Sequence, residues 1–116
     1  MTDKFAKNFL NYLRLLFETD ATDSVRQWAR EFEDARRSLN LEYCRFMLQS
    51  IRRWENLSLD HIGQVKNSEG LLYQTLAEGS RAKEYHQDAV KLFHETQNSY
   101  GLAFALNNLG LALIQE

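Results

Sequence analysis

Three histidines, His61, His86 and His94, are the side chains of this sequence that could transfer protons near neutral pH. No serine or cysteine lies in a nucleophile motif with any of them, so the pattern gives no support to covalent catalysis. His86 and Asp88 are two positions apart, and because residues two apart on a helix point in different directions, they make a poor pair of metal ligands. We therefore predict no catalytic residues and no metal site, and we do not expect an enzyme.

Phosphate-binding and charged surfaces are also missing from the sequence pattern. Gly63 and Gly70 lack the neighbouring glycines and lysine with which a phosphate loop presents its backbone N–H groups, so we expect no cofactor. The formal net charge is −2 and basic residues alternate with acidic ones, which argues against nucleic acid or an anionic membrane as a partner. No apolar run approaches the roughly 20 residues of a membrane helix. A single cysteine, Cys44, suits a reducing compartment, and we expect a cytoplasmic protein.

The elements that position these side chains are predicted to be helices. Proline is absent, and apolar residues recur at steps of three and four, which places them on one face of a helix. The first helix is expected to bury Phe5, Phe9, Leu13 and Leu16. About six helices joined by short connections fit within 116 residues, and short connections make consecutive helices pack as antiparallel hairpins.

Helix ends are predicted from residues whose side chains or backbone suit a terminus. Gly79-Ser80 is expected to end the fourth helix and to begin the fifth. The candidate N-caps of the other helices are Thr22 or Ser24, Asn40, Ser58 or Asp60, and Asn98 or Ser99.

An internal repeat organises the second half of the chain. The segment NSEGLLY (67–73) aligns with NNLGLAL (107–113), forty positions further on. Gly70 and Gly110 occupy the same place in the two copies, and we expect each to let a neighbouring helix approach closely.

These features resemble the tetratricopeptide repeat family, most clearly over residues 63–116. Members of that family carry a small residue and an aromatic residue on the first helix of each pair, as at Gly70 and Tyr73, and similar residues on the second, as at Ala82, Tyr85 and Ala89. The forty-residue period and the LNNLG motif (106–110) are similar to repeats of kinesin light chains and of sensor arrays in bacterial signalling ATPases. The departures from the usual pattern are a period longer than thirty-four residues and the absence of the closing proline.

The resemblance implies an all-α fold in which helix hairpins stack as a short right-handed solenoid. We expect a single domain over residues 1–116, with a cap helix and a degenerate repeat in 1–57 and the clearest repeats in 58–116. The first helix of each pair would line a groove that binds a peptide or protein. The groove candidates are Gln64, Asn67, Gln74, Asn107 and Asn108, and the resemblance favours Asn108, where family members often bind a peptide backbone or carboxylate.

The last helix would be the first of a new pair, which leaves an apolar surface without a partner helix. Either the chain is part of a longer array or it self-associates here as a homodimer. The residues expected to form this surface are Leu106, Leu109, Leu111, Leu113 and Ile114.

Two functions are compatible with this pattern. The first is a non-catalytic adaptor or scaffold that binds a protein or peptide through the groove or the exposed last helix. The alternative is a small dimeric regulatory or sensor protein whose role is self-association.

Overall fold

The computed structural model describes residues 4–115 and contains six α-helices over that range. No strand occurs among these residues, so the predicted all-α class is confirmed. None of the described helices is both long and apolar enough to cross a membrane. The helices are α1 (Lys4–Thr19), α2 (Ala21–Arg37), α3 (Leu41–Ile51), α4 (Leu59–Thr75), α5 (Gly79–Glu95) and α6 (Ser99–Gln115).

The chain divides into two compact units, and the division falls next to the boundary predicted at residue 57. Unit 1 is Met1–Asn56 and contains α1 to α3, whereas unit 2 is Leu57–Glu116 and contains α4 to α6.

The core of unit 1 is built from large side chains of all three helices. Trp28 is fully buried, its ring stacks on Phe32 with centroids 5.0 Å apart, and its indole N–H donates to the Met47 carbonyl at 3.2 Å. Leu13 is also fully buried, but Phe5 is 67% exposed, so the predicted inner stripe of α1 is wrong at that position. The buried residues of α1 are Ala6, Leu10 and Leu13.

In unit 2 one aromatic ring packs between glycines of two helices. A Cβ placed on Gly63 of α4 would come within 3.0 Å of the Phe93 ring, and one on Gly101 of α6 within 2.7 Å. Phe93, on α5, joins a small core with Ala89 and Ala105, both fully buried. Small residues on three helices therefore let their backbones pack closely around a single large side chain.

Three connections between helices share one conformation, in which a non-glycine residue has a positive φ. These residues are Leu39 (φ 59°), Ala77 (φ 58°) and Gln97 (φ 58°). In each connection the next residue donates its N–H to a carbonyl five positions earlier, as Glu78 does to Tyr73 at 2.8 Å. This is the Schellman arrangement that closes a helix C-terminus. The prediction that Gly79 ends α4 is wrong, since Ala77 takes the left-handed position and Gly79 is the first residue of α5.

Side-chain caps fix the starts of α2, α3, α4 and α6. Asn40 and Ser58 cap α3 and α4 as predicted, and Asn98 accepts the N–H of Gly101 at 2.9 Å at the start of α6. The cap of α2 is Asp20 and neither Thr22 nor Ser24. Ser24 is fully buried, and its hydroxyl instead donates to the Leu13 carbonyl at 2.6 Å.

Candidate functional site

Four polar side chains from the three helices of unit 2 form a hydrogen-bonded cluster, in which Asn67, His86 and Asn108 are buried and Gln74 is half-buried. His86 of α5 is fully buried, and its Nδ1 lies 2.8 Å from Oδ1 of Asn67 on α4. The other ring nitrogen of His86, Nε2, lies 2.5 Å from Oε1 of Gln74, which is on α4 as well. Asn108 of α6 donates from Nδ2 to Asn67 Oδ1 at 3.2 Å. Asn67 therefore ties α4 to both α5 and α6.

The protonation of His86 follows from its burial. Desolvation lowers the pKa of His86 to about 4, so the ring is neutral and carries one proton at pH 7. Asn67 Oδ1 is an acceptor toward Asn108, so the ring proton lies on Nδ1, where it donates to the same oxygen. The structure places Oε1 of Gln74 next to Nε2, so a neutral ring that donates from Nδ1 requires the Gln74 carboxamide to rotate by 180° and donate from its NH₂ group to Nε2.

Gly70 makes the space that the His86 ring occupies. A Cβ on Gly70 would lie 2.4 Å from Cε1 and 2.6 Å from Nε2 of that ring, distances that no side chain tolerates. The prediction that Gly70 permits a close approach is confirmed. At Gly110, by contrast, an added Cβ would meet nothing within 4 Å, so the same prediction is wrong for Gly110 within unit 2.

The predicted groove residues do not share one open surface. Asn67 and Asn108 are buried, with 6% and 4% exposure, and their amides bond inside the cluster. Gln64 and Gln74 are half-buried and Asn107 is exposed. The Asn108 side chain, for which the resemblance implies a peptide-binding role, here links α6 to α4.

The predicted self-association residues lie mainly on an exposed face of α6. Leu106 and Leu111 are each 49% exposed, Leu113 is 50% and Ile114 is 82%, whereas Leu109 is half-buried and does not belong to the surface. Sequence reasoning missed two further members of this face, Tyr100 at 85% and Phe104 at 48%. Tyr100 and Phe104 lie eleven and seven residues before Leu111, and this helical spacing was the signal that could have identified them.

Helical geometry divides these side chains into two sides, since each residue advances about 100° around the axis. The α6 strip consists of Ala103, Leu106, Gly110 and Leu113. A second flank, about 120° further around the helix axis, consists of Tyr100, Phe104 and Leu111. The remaining side, which packs into unit 2, carries Ala105, Asn108 and Ala112, all buried.

The α6 strip occupies positions that lie forty residues after those of one face of α4, and α5 covers that face of α4. On α4 this face carries Gly63 against the Phe93 ring and Gly70 against the His86 ring. It also carries Tyr73, which stacks on Tyr85 with centroids 5.3 Å apart. The first residues of α4 and α6, Leu59 and Ser99, are themselves forty positions apart. The matching face is thus covered on α4 and exposed on α6.

Charge is another property that distinguishes α6. No Asp, Glu, Lys or Arg occurs in Ser99–Gln115, whereas α5 carries six such residues within Gly79–Glu95. An uncharged helix with several half-exposed leucines has a surface typical of an interaction site.

The other residues with possible chemistry are engaged in structure. Burial raises the pKa of the Cys44 thiol to about 11, which suppresses the reactive thiolate. His61 accepts the Ser58 N–H at 3.3 Å within a capping box, and desolvation lowers its pKa. Within residues 4–115 no group of three His, Cys, Asp or Glu side chains is placed to hold a metal ion.

Comparison with known proteins gives no relative: no protein-family model, curated protein or solved structure matches the chain.

Proposed function

We propose that this protein is a non-catalytic protein-interaction module and that its binding surface is the exposed face of α6. The observation that carries the proposal is the combination of half-exposed leucines with the absence of charge over Ser99–Gln115. Transfer of such apolar surface out of water is favourable by roughly 25 cal/mol per Å², so a partner polypeptide that covers the face gains free energy.

The fold that we propose for this role is a tetratricopeptide-like right-handed stack of helix hairpins with a forty-residue period. Its support lies in unit 2, where Val65 and Leu72 of α4 are buried and so are Ala105 and Ala112, forty positions later. The starts of α4 and α6, Leu59 and Ser99, are forty positions apart, which supports the same period. In such a stack the outer face of α6 is the place where the next helix would pack.

Affinity recovery of bound proteins from the cells that produce the chain tests the proposal. The double variant Leu106→Glu with Leu113→Glu places two carboxylates on the α6 strip, and both positions are about half-exposed, so the fold is preserved. Leu15→Glu on α1 is the matched control, because Leu15 is 55% exposed. We expect polypeptides that the wild-type and the Leu15→Glu chains recover to be lost with the double variant. Equal recovery by all three chains would refute the proposal.

The second candidate function is that of a small dimeric regulator or sensor whose role is self-association. The absence of charge on α6 favours this second candidate. In a symmetric contact, a charged residue near the two-fold axis lies close to the same residue of the other copy, and the two like charges repel each other. This candidate uses the same face, in the same cytoplasmic setting, and needs neither a cofactor nor a metal.

A further inference from the structure

From the proposed function, which makes α6 a binding surface, we infer that its partner is α6 of a second copy of this chain. The two helices pack antiparallel across a two-fold axis at the level of residue 108. In this pairing Leu106 of each copy inserts at Gly110 of the other, and Leu113 packs on Ala103.

Spacing along the α6 strip supports this geometry. Its four members follow one another at steps of three, four and three residues, which is the pattern of a seam between two helices that cross at a shallow angle. An isologous contact pairs position i with position j and j with i. An axis at residue 108 pairs 106 with 110 and 103 with 113, so each of the two leucines meets a small residue. The strip is therefore complementary in size to itself when it runs antiparallel.

Gly110 supplies the notch that this pairing requires. The other glycines of α4 and α6 each pack against an aromatic or imidazole ring. A Cβ added to the glycine would lie within 3.0 Å of the Phe93 ring at Gly63, 2.4 Å of the His86 ring at Gly70 and 2.7 Å of the Phe93 ring at Gly101. Only open space surrounds the Cβ position at Gly110, and the nearby Leu106 is 49% exposed. A leucine from a second copy fills the notch as His86 fills the one at Gly70.

Electrostatics selects a second copy over a charged partner helix. With no charged residue over Ser99–Gln115, two copies of α6 meet without like charges facing one another. A partner helix with charges on its contact face would instead bury them against leucines without an ion-pair partner on α6, which is unfavourable.

Molar mass in solution is the first test. A contact between two helices is small for a stable interface, so we expect a dimer with a dissociation constant on the order of 10 µM. Sedimentation equilibrium of the full chain should show a dimer at concentrations roughly tenfold above that value. Leu106→Glu should raise the dissociation constant at least about 100-fold, since the symmetric contact loses two buried leucines and gains two carboxylates. Leu111→Glu is the control, because Leu111 has the same 49% exposure but lies on the second flank, about 120° around the axis from the α6 strip.

Disulfide trapping tests the direction and register. The Ala103→Cys and Leu113→Cys chains, mixed and oxidised, should form a cross-linked pair that neither chain forms alone, because like positions lie about 15 Å apart along the axis. Cys44 is fully buried in both chains and does not compete. Homodimers of Ala103→Cys alone would mean a parallel pair and would overturn the proposed geometry.

The outcomes separate this inference from the proposed function. A wild-type chain that remains monomeric at about 200 µM, well above the expected dissociation constant, overturns the homodimer. Dissociation by Leu111→Glu but not by Leu106→Glu overturns it as well. In either case, loss of recovered polypeptides from the Leu106→Glu, Leu113→Glu chain would still support an interaction module with a different partner.

Discussion

Substitution of Gly70 by alanine perturbs the contact that joins α4 to α5 most closely. The new Cβ would lie 2.4 to 2.7 Å from three atoms of the His86 imidazole, which is fully buried and hydrogen-bonded at both nitrogens. The ring cannot move away without loss of its contacts to Asn67 and Gln74. We therefore expect Gly70→Ala to displace His86 and to destabilise unit 2.

The size of the effect follows from three contributions. Overpacking of a well-filled contact costs about 1–3 kcal/mol. Loss of hydrogen bonds at a buried polar group adds about 1–3 kcal/mol. Alanine is a better helix former than glycine by about 1 kcal/mol, which acts in the opposite direction. The net loss in the free energy of unfolding is about 3 kcal/mol, a large fraction of the roughly 5–15 kcal/mol of a typical domain.

Urea unfolding followed by far-UV circular dichroism measures this loss, at low micromolar protein concentration. Gly110→Ala is the matched control, since it makes the same change at the equivalent position of α6, where nothing lies within 4 Å. That variant should gain about 1 kcal/mol from helix propensity alone. The two alanine substitutions are thus predicted to change the free energy of unfolding in opposite directions.

A double-mutant cycle with His86→Ala shows whether the imidazole is the cause. In the His86→Ala background, Gly70→Ala should no longer destabilise unit 2 and should raise its free energy of unfolding by about 1 kcal/mol. A Gly70→Ala variant as stable as the wild type, or one equally destabilised in the His86→Ala background, would refute the proposed contact.

Three further predictions concern other residues. The free energy of unfolding should fall by up to about 3 kcal/mol as the pH drops from 6.5 to 4. The reason is that the His86 pKa of about 4 in the folded chain lies below its unfolded value of about 6.5, so the unfolded chain binds the proton more tightly. Denaturation at pH 7 and pH 4.5 measures this fall, and an NMR-detected His86 pKa near 6.5 in the folded protein would contradict it. Ala77→Gly should stabilise the protein by about 0.5–1 kcal/mol, because alanine at φ 58° is strained and glycine is not; an unchanged or lower melting temperature would argue against this. Cys44, buried with a thiol pKa of about 11, should react with iodoacetamide only in denaturant, and mass spectrometry of labelled native protein would reveal any exception.

The helices could be predicted from the sequence because their signals are local. Apolar spacing, the absence of proline and caps such as Asn40 and Ser58 act within a few residues of the chain. The end of α4 was misplaced because glycine normally takes the left-handed position, and here Ala77 takes it although Gly79 is two residues away.

The polar cluster could not be predicted, because its members satisfy one another across the fold. Asn67 and Asn108 are 41 positions apart in the chain, and either side chain alone has the composition of an exposed groove residue. Their burial depends on His86 and on the space at Gly70, which only the packing of three helices reveals. The exposed leucines were more predictable, since an apolar helix without charge has more apolar surface than one packed face can cover.

Site-specific photocrosslinking in the producing cells is the most direct test of α6 as a binding surface. Benzoylphenylalanine is placed at position 106 on the α6 strip, or at position 15 on α1, where Leu15 is similarly exposed. Irradiation should attach a polypeptide to the chain that carries the probe at 106 and not to the one that carries it at 15. No adduct at 106, or equal adducts at both positions, would contradict the account.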